Sequence, residues 1–174
     1  QLNNLIFYNS DFWNHYKTFE KKSDLYCCFL ERGLSVLRRT GRLGLIVSNG
    51  WLRLDSFEKL RELVLSNAHM EQVIEFSGNV FDDATVDTAV VILSKEPRKR
   101  PLVKVARSDP RTQLTDLRFR TIPQSAFQTT YKKIIDLSID PESGPLKRKI
   151  QDAGVPLGSQ YGIAFGLKTG DDSR

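Results

Sequence analysis

Phe76-Ser77-Gly78-Asn79-Val80-Phe81-Asp82-Asp83-Ala84-Thr85-Val86-Asp87-Thr88-Ala89-Val90-Val91-Ile92-Leu93 decides the fold of this 174-residue chain. Thr88 to Leu93 is almost wholly apolar and reads as a strand, and Val73-Ile74-Glu75-Phe76 reads as another. The polar, glycine-opened connection near residues 77–86 is too short for the crossover a parallel pair requires. The two strands are therefore expected to pair antiparallel, as a hairpin. One ring, Phe81, stands in the connecting loop, at the mouth of the expected sheet.

Upstream, Ser23 to Arg39 reads as a helix capped by Ser23, with Asp24 in its first turn. Tyr26, Phe29, Leu30, Gly33, Leu34 and Leu37 follow the spacing of one buried stripe, and Gly41 suits a helix terminator. Gly33 in mid-helix costs about 1 kcal/mol relative to alanine, so close packing against a sheet is expected there. Leu43-Gly44-Leu45-Ile46-Val47 reads as a strand buried on both faces, as in a parallel sheet, followed by a turn at Ser48-Asn49-Gly50-Trp51. Asp55-Ser56-Phe57-Glu58 has the form of a capping box, and the helix it opens carries Leu60, Leu63 and Val64 on one face. Helix, strand, helix, strand, loop, strand is the order of a layered α/β sheet. Beyond it, Pro97 and Pro101 bracket Arg98-Lys99-Arg100, and Leu102, Val103 and Val105 suit an edge strand. Five further prolines interrupt residues 108–157, which are expected to form a connection with short helical pieces around 131–137 and 146–150.

Composition bounds the function. Hydrophobic residues make up 40% and charged residues 27%, which fits a soluble globular protein. No apolar run approaches the ~20 residues that cross a bilayer, and there is no signal-peptide pattern, so a cytoplasmic protein without membrane contact is expected. The chain opens on Gln1, as expected of a piece of a longer protein. Cys27 and Cys28 are adjacent and cannot form an ordinary disulfide, so both are expected as buried, reduced thiols. His15 and His69 lack partners at ligand spacing, and no metal site is expected. The net charge of +5 is concentrated: residues 95–133 hold 11 Lys/Arg against 3 Asp/Glu. Such a segment is either a solvated surface or one that tracks the phosphates of a polyanion.

Three stretches resemble a known family. Ser23-Asp24-Leu25-Tyr26, Phe29-Leu30-Glu31-Arg32-Gly33 and Gly41-Arg42-Leu43-Gly44-Leu45-Ile46-Val47-Ser48-Asn49 are similar to adenine-N6 DNA methyltransferases of restriction-modification systems, above all the fused restriction-methylase type. Residues 76–89 resemble the segment those enzymes place after their sixth strand. The resemblance covers roughly residues 20–95. It implies an α/β fold, the C-terminal half of a class I S-adenosylmethionine-dependent (Rossmann-like) sheet ending in an antiparallel hairpin, followed by an irregular linker. It divides the chain into residues 1–107 (catalytic-domain half), 108–160 (linker) and 161–174 (start of a target-recognition domain, from Tyr161-Gly162-Ile163 and Gly166-Leu167-Lys168-Thr169-Gly170).

The family's Asn-Pro-Pro-Tyr/Phe motif and Gly-rich cofactor loop do not occur in this sequence. The resemblance therefore implies no catalytic and no cofactor-binding residue here. S-adenosylmethionine is expected in the intact protein, none is expected on this chain, and the chain is expected to be inactive alone. What it implies is the substrate side. Phe81 matches the aromatic that stacks on an extruded adenine, Asn49 lies near the active-site rim, and Lys168, Thr169 and Gly170 are placed to meet DNA. Double-stranded DNA is the expected partner, with Arg98, Lys99, Arg100, Lys104, Arg107, Arg118 and Arg120 as candidate phosphate contacts. An unpaired strand edge at 43–47 is expected to favour self-association or cover by the aromatic N-terminal segment. The alternative reading is a non-catalytic DNA-binding or interaction module that shares the half-sheet.

Overall fold

The computed structural model describes residues 15–20, 23–78, 80, 86–96, 98–108, 114–140, 144–155 and 157–162. Two compact units divide the chain, residues 1–141 and 142–174. The first contains helix α1 (Tyr26–Val36), strand β1 (Arg42–Ser48), helix α2 (Glu58–Asn67), strands β2 (His69–Phe76), β3 (Thr88–Ser94), β4 (Leu102–Ser108) and β5 (Arg120–Pro123), and a short helix α3 (Gln124–Gln128). The second contains α4 (Gly144–Ala153) and the single turn α5 (Leu157–Gln160). By itself the second unit leaves Leu146, Ile150, Leu157 and Tyr161 exposed.

The sheet order is β1-β3-β2-β4-β5. β2 and β3 form the expected antiparallel hairpin, with Val73 opposite Val91 and Phe76 opposite Thr88. β3 then pairs antiparallel with β1 on its other side, Leu45 opposite Val91. β4 lies parallel to β2, and β5 antiparallel to β4. One face carries the core: Leu43, Leu45 and Val47 of β1, Ala89, Val91 and Leu93 of β3, Val73 of β2, and Val103 and Val105 of β4 join Cys27, Leu30 and Leu34 of α1 and Leu60, Val64 and Leu65 of α2.

Four local expectations are corrected. Residues 43–47 are not buried on both faces in a parallel arrangement: β1 alternates, its only described neighbour is antiparallel, and Ile46 on the second face is 43% exposed. The continuous apolar run concealed that period, because Gly44 and Ile46 happen to be apolar on the less covered face. Ser23 does not cap α1. The helix starts after Leu25 with no side-chain cap, and the Ser23 hydroxyl donates to the Ser56 carbonyl at 2.9 Å. Phe29 is 63% exposed, off the buried stripe formed by Cys27, Leu30 and Leu34. Asp55 opens a short 3₁₀ turn rather than a capping box, and its carboxylate accepts from Lys132 Nζ at 2.6 Å.

Residues 102–105 and the stretch expected as a linker behave differently from the sequence reading. β4 is an interior strand, and β5, α3 and the following turn add Ile122, Phe127, Ile135 and Leu137 to the same core. The first unit accordingly runs on to Pro141. Gly33 packs as expected: a Cβ there would lie 2.7 Å from Leu43 Cδ2. Both cysteines are free and buried, and burial pushes the Cys27 thiol up to about 12 and the Cys28 thiol to about 11. Among the described residues no helix is long and apolar enough to cross a membrane.

Arg61 fastens the helical layer to the turns beyond it. The side chain is fully buried and donates from Nη1 to the carbonyls of Trp51 (2.7 Å) and Leu54 (2.8 Å), and from Nε to that of Lys132 (3.0 Å). Lys132 and Lys133 sit at φ 48° and 54°, the left-handed turn that delivers this last carbonyl.

Candidate functional site

β1, β2 and β4 run in one direction, since β1 and β2 are each antiparallel to β3 and β4 is parallel to β2. Their carboxyl ends share one end of the sheet, the end at which open α/β sheets bind ligands. Glu75, one residue from the end of β2, is its hub. It alternates with Val73 and so points to the core face, where it is only 8% exposed. Four donors satisfy it. Arg53, in the turn after β1, forks onto both carboxylate oxygens, with Nη2 to Oε2 at 2.7 Å. Arg107 Nε of β4 donates to Oε2 at 3.1 Å, and Asn49 Nδ2 donates to Oε1 at 3.0 Å. The Arg53 hydrogen bonds hold the Glu75 carboxyl below the usual carboxylate range, against the opposing effect of burial. The network continues from Arg107 Nη2 to Asp136 Oδ1 at 3.8 Å.

The loop between β2 and β3 is pinned at its base to the same sheet end. Ser77 donates from its main-chain N and its Oγ to the Ser108 carbonyl, at 3.0 and 3.1 Å. Gly78 adopts φ 89°, a left-handed conformation natural to glycine, and donates its N–H to Asp87 Oδ1 at 2.9 Å. The Asp87 carbonyl accepts from Asn49 N at 2.9 Å. Strand β1, through Asn49, and strand β4, through Ser108, thus hold the two feet of the loop. Phe81 lies outside the described residues, as do Lys168, Thr169 and Gly170. Asn49 is at the expected rim, with its amide nitrogen engaged by Glu75.

The basic residues grouped by sequence separate in space. Arg107, Arg118 and Arg120 line a depression of about 400 Å³ at the carboxyl end of β4, together with Val105, Leu137 and Ser138. Arg120 Nη2 donates to the Leu137 carbonyl. Arg118 is exposed, with no hydrogen bond or ion pair among the described residues. Arg98, Lys99 and Arg100 lie at the opposite end, where β2 and β4 begin, beside a depression of about 740 Å³ that His69 and Gln124 also line. Arg98 there pairs with Glu96 (3.2 Å) and Glu71 (3.8 Å). Lys104 sits exposed midway along β4. The seven residues of β4 separate the two ends by about 20 Å at ~3.3 Å per residue.

Sequence reasoning did not single out Glu75, Arg53 or Asp136. The available signal was Glu75 itself: a charge that alternates with Val73 onto the core face of a strand requires partners. Those partners lie 22, 26 and 32 residues away and follow only from the strand order.

Comparison with known proteins bears on this geometry. Residues 1–81 match the family model described as Eco57I restriction-modification methylase. The type II restriction enzyme and methyltransferase RM.Eco57I of Escherichia coli is 34% identical over 82 residues, covering 47% of this chain and 8% of that protein. The type II methyltransferase M.TthHB8I of Thermus thermophilus is 30% identical over 152 residues, 87% of this chain and 32% of the relative. The chain thus spans a third or less of the length of these relatives. Among solved structures, the type IIG restriction endonuclease BpuSI superposes with a TM-score of 0.56 at 12% identity, over 79% of this chain and 18% of that one. The M protein of the type I restriction enzyme EcoKI gives 0.52 at 14% identity, over 75% of this chain and 41% of that one. These likenesses show the fold, a mixed α/β open sheet. The sequence matches show that the chain is related to the methyltransferases of restriction-modification systems.

Proposed function

We propose that this chain is the substrate-side part of a site-specific DNA adenine-N6 methyltransferase, which moves a methyl group from S-adenosylmethionine to an adenine swung out of duplex DNA. The observation that carries the reading is the loop from Ser77 to Asp87. It is held at both feet at the carboxyl end of the sheet, and it carries the one aromatic, Phe81, that matches the family's base-stacking position. Base–aromatic stacking contributes about 1–3 kcal/mol, which offsets the few kcal/mol that unstacking a base costs. A loop with fixed feet spends less of that gain on its own ordering.

The described residues do not fit the methyl donor. The one buried acid at the strand ends, Glu75, is already taken by Arg53, Arg107 and Asn49, and the sequence contains no Gly-rich cofactor loop. Donor binding and the chemical step are therefore assigned to other segments of the enzyme, and the chain by itself is expected to transfer no methyl group. Residues 161–174 are read as the beginning of a target-recognition domain, with Lys168, Thr169 and Gly170 facing DNA. The outer edge of β1 has no strand partner among the described residues, which supports pairing with a further strand or a second copy there.

The test is Phe81→Ala in the full-length enzyme, assayed on duplex DNA and on the same sequence carrying a mismatch at the target adenine. Loss of about tenfold or more on the duplex, with a smaller loss on the mismatch, is expected, because the mismatched base is already partly unstacked. Unchanged methylation of the duplex refutes the stacking role.

A further inference from the structure

We infer that Arg107, Arg118 and Arg120 form a single preorganised pocket for one backbone phosphate of the bound DNA, and that Arg98, Lys99 and Arg100 take no part in holding the same duplex. This rests on the proposed function for the source of the phosphate and on geometry for the pocket. The depression of about 400 Å³ lies at the carboxyl end of β4, the sheet end that also carries the feet of the Phe81 loop. Two of its guanidinium groups are fixed from behind. Arg107 is held by Glu75 and Asp136 and Arg120 by the Leu137 carbonyl, which leaves Arg107 Nη1 and the other Arg120 N–H groups to meet a ligand. A planar fork whose orientation is already fixed loses little entropy on binding a phosphate. Arg118 is exposed and unpaired among the described residues, and completes the set as the third cation of the lining. Arg53 and Arg107 pair with Glu75 and Asp136, and Arg118 and Arg120 add two further cations beside them, so the neighbourhood keeps a positive excess.

The opposite depression is larger but worse suited. Two of its cations are spent, Arg98 on Glu96 and Glu71, and Lys95 on the Ser35 and Leu37 carbonyls at the end of α1. A duplex lying across the carboxyl ends is separated from it by the ~20 Å length of the strands.

The experiment uses the chain as it stands with two probes, inorganic phosphate and a duplex oligonucleotide. Phosphate is titrated while the arginine side-chain Nε–Hε signals are followed by NMR. Shifts of Arg107 and Arg120, weakened in Arg118→Ala, are expected, and their absence overturns the pocket. Duplex binding is then measured against salt. Arg118→Ala should lower the slope of log affinity against log salt by about 0.9, the value of one phosphate contact, while Lys99→Ala/Arg100→Ala leaves it unchanged. An unaltered slope in Arg118→Ala, or an equal fall in the Lys99/Arg100 variant, overturns the assignment. Phosphate shifts without any duplex binding overturn DNA as the source of the phosphate. Stacking by Phe81 is read separately, from methylation by the full-length enzyme.

Discussion

Removing the carboxylate of Glu75 by Glu75→Ala tests whether the strand ends are held by one charged hub. Four hydrogen bonds end on this group, which is 8% exposed. Breaking a fully buried ion pair costs about 3–5 kcal/mol, and an exposed pair contributes about 0–1 kcal/mol. The partners here are intermediate, the Arg53 and Arg107 side chains being 36% and 52% exposed, so water can take up the released guanidinium groups. The expected loss is about 2 kcal/mol, or a fall in melting temperature of about 4–8 °C for a chain of this size. The pH dependence carries the sign. Because the folded carboxyl titrates below its unfolded value of about 4.3, its contribution is complete above that pH and disappears as pH falls through the lower, folded value. Thermal unfolding followed by circular dichroism at pH 7 and at pH 3 should therefore show a large gap between wild type and variant at neutral pH and a smaller one in acid. A shift below 1 °C at pH 7, or a gap that does not narrow in acid, refutes the reasoning.

Arg61→Ala should be more severe, about 3 kcal/mol, because it leaves the carbonyls of Trp51, Leu54 and Lys132 without their shared donor, and Arg61→Lys should recover less than half of the loss; urea unfolding measures both. Gly33→Ala gains about 1 kcal/mol of helix propensity and sets a methyl 2.7 Å from Leu43 Cδ2, the far end of a side chain that can turn aside, so a net change within about 1 kcal/mol is expected; in a double-mutant cycle Leu43→Ala should make Gly33→Ala more stabilising. Gly78→Ala forces a side chain onto φ 89° at the foot of the loop and should cost about 1–2 kcal/mol, read as accelerated amide exchange at Ser77 and Gly78.

The parts of the fold that could be read from sequence are those whose physics is local. The hairpin of β2 and β3 followed from loop length, and α1 and α2 followed from the three-to-four-residue recurrence of Leu30, Leu34, Leu60 and Val64. The flank of β1 could not be read, because an apolar residue on a half-covered face looks the same in sequence as one in the core. The contribution of residues 120–139 was concealed for another reason. Ile122, Phe127, Ile135 and Leu137 reach the core from a short strand, a five-residue helix and a turn, none long enough to show a period. At the candidate site Asn49 was legible as a strand-end turn, whereas the Glu75 hub gathers side chains from three separate strand ends and exists only once those strands are side by side.

The position of β3 governs the order in which the chain can assemble. It is the neighbour of both β1 and β2, yet it is synthesised after them. A nascent chain that has emerged only as far as Asp87 therefore presents two apolar ribbons with nothing to zip against. The arrival of Thr88 to Ser94 joins them in one step, so a stalled or truncated product ending before Ser94 should be a substrate for chaperones and proteases, while one that includes it should hold its α/β layer together.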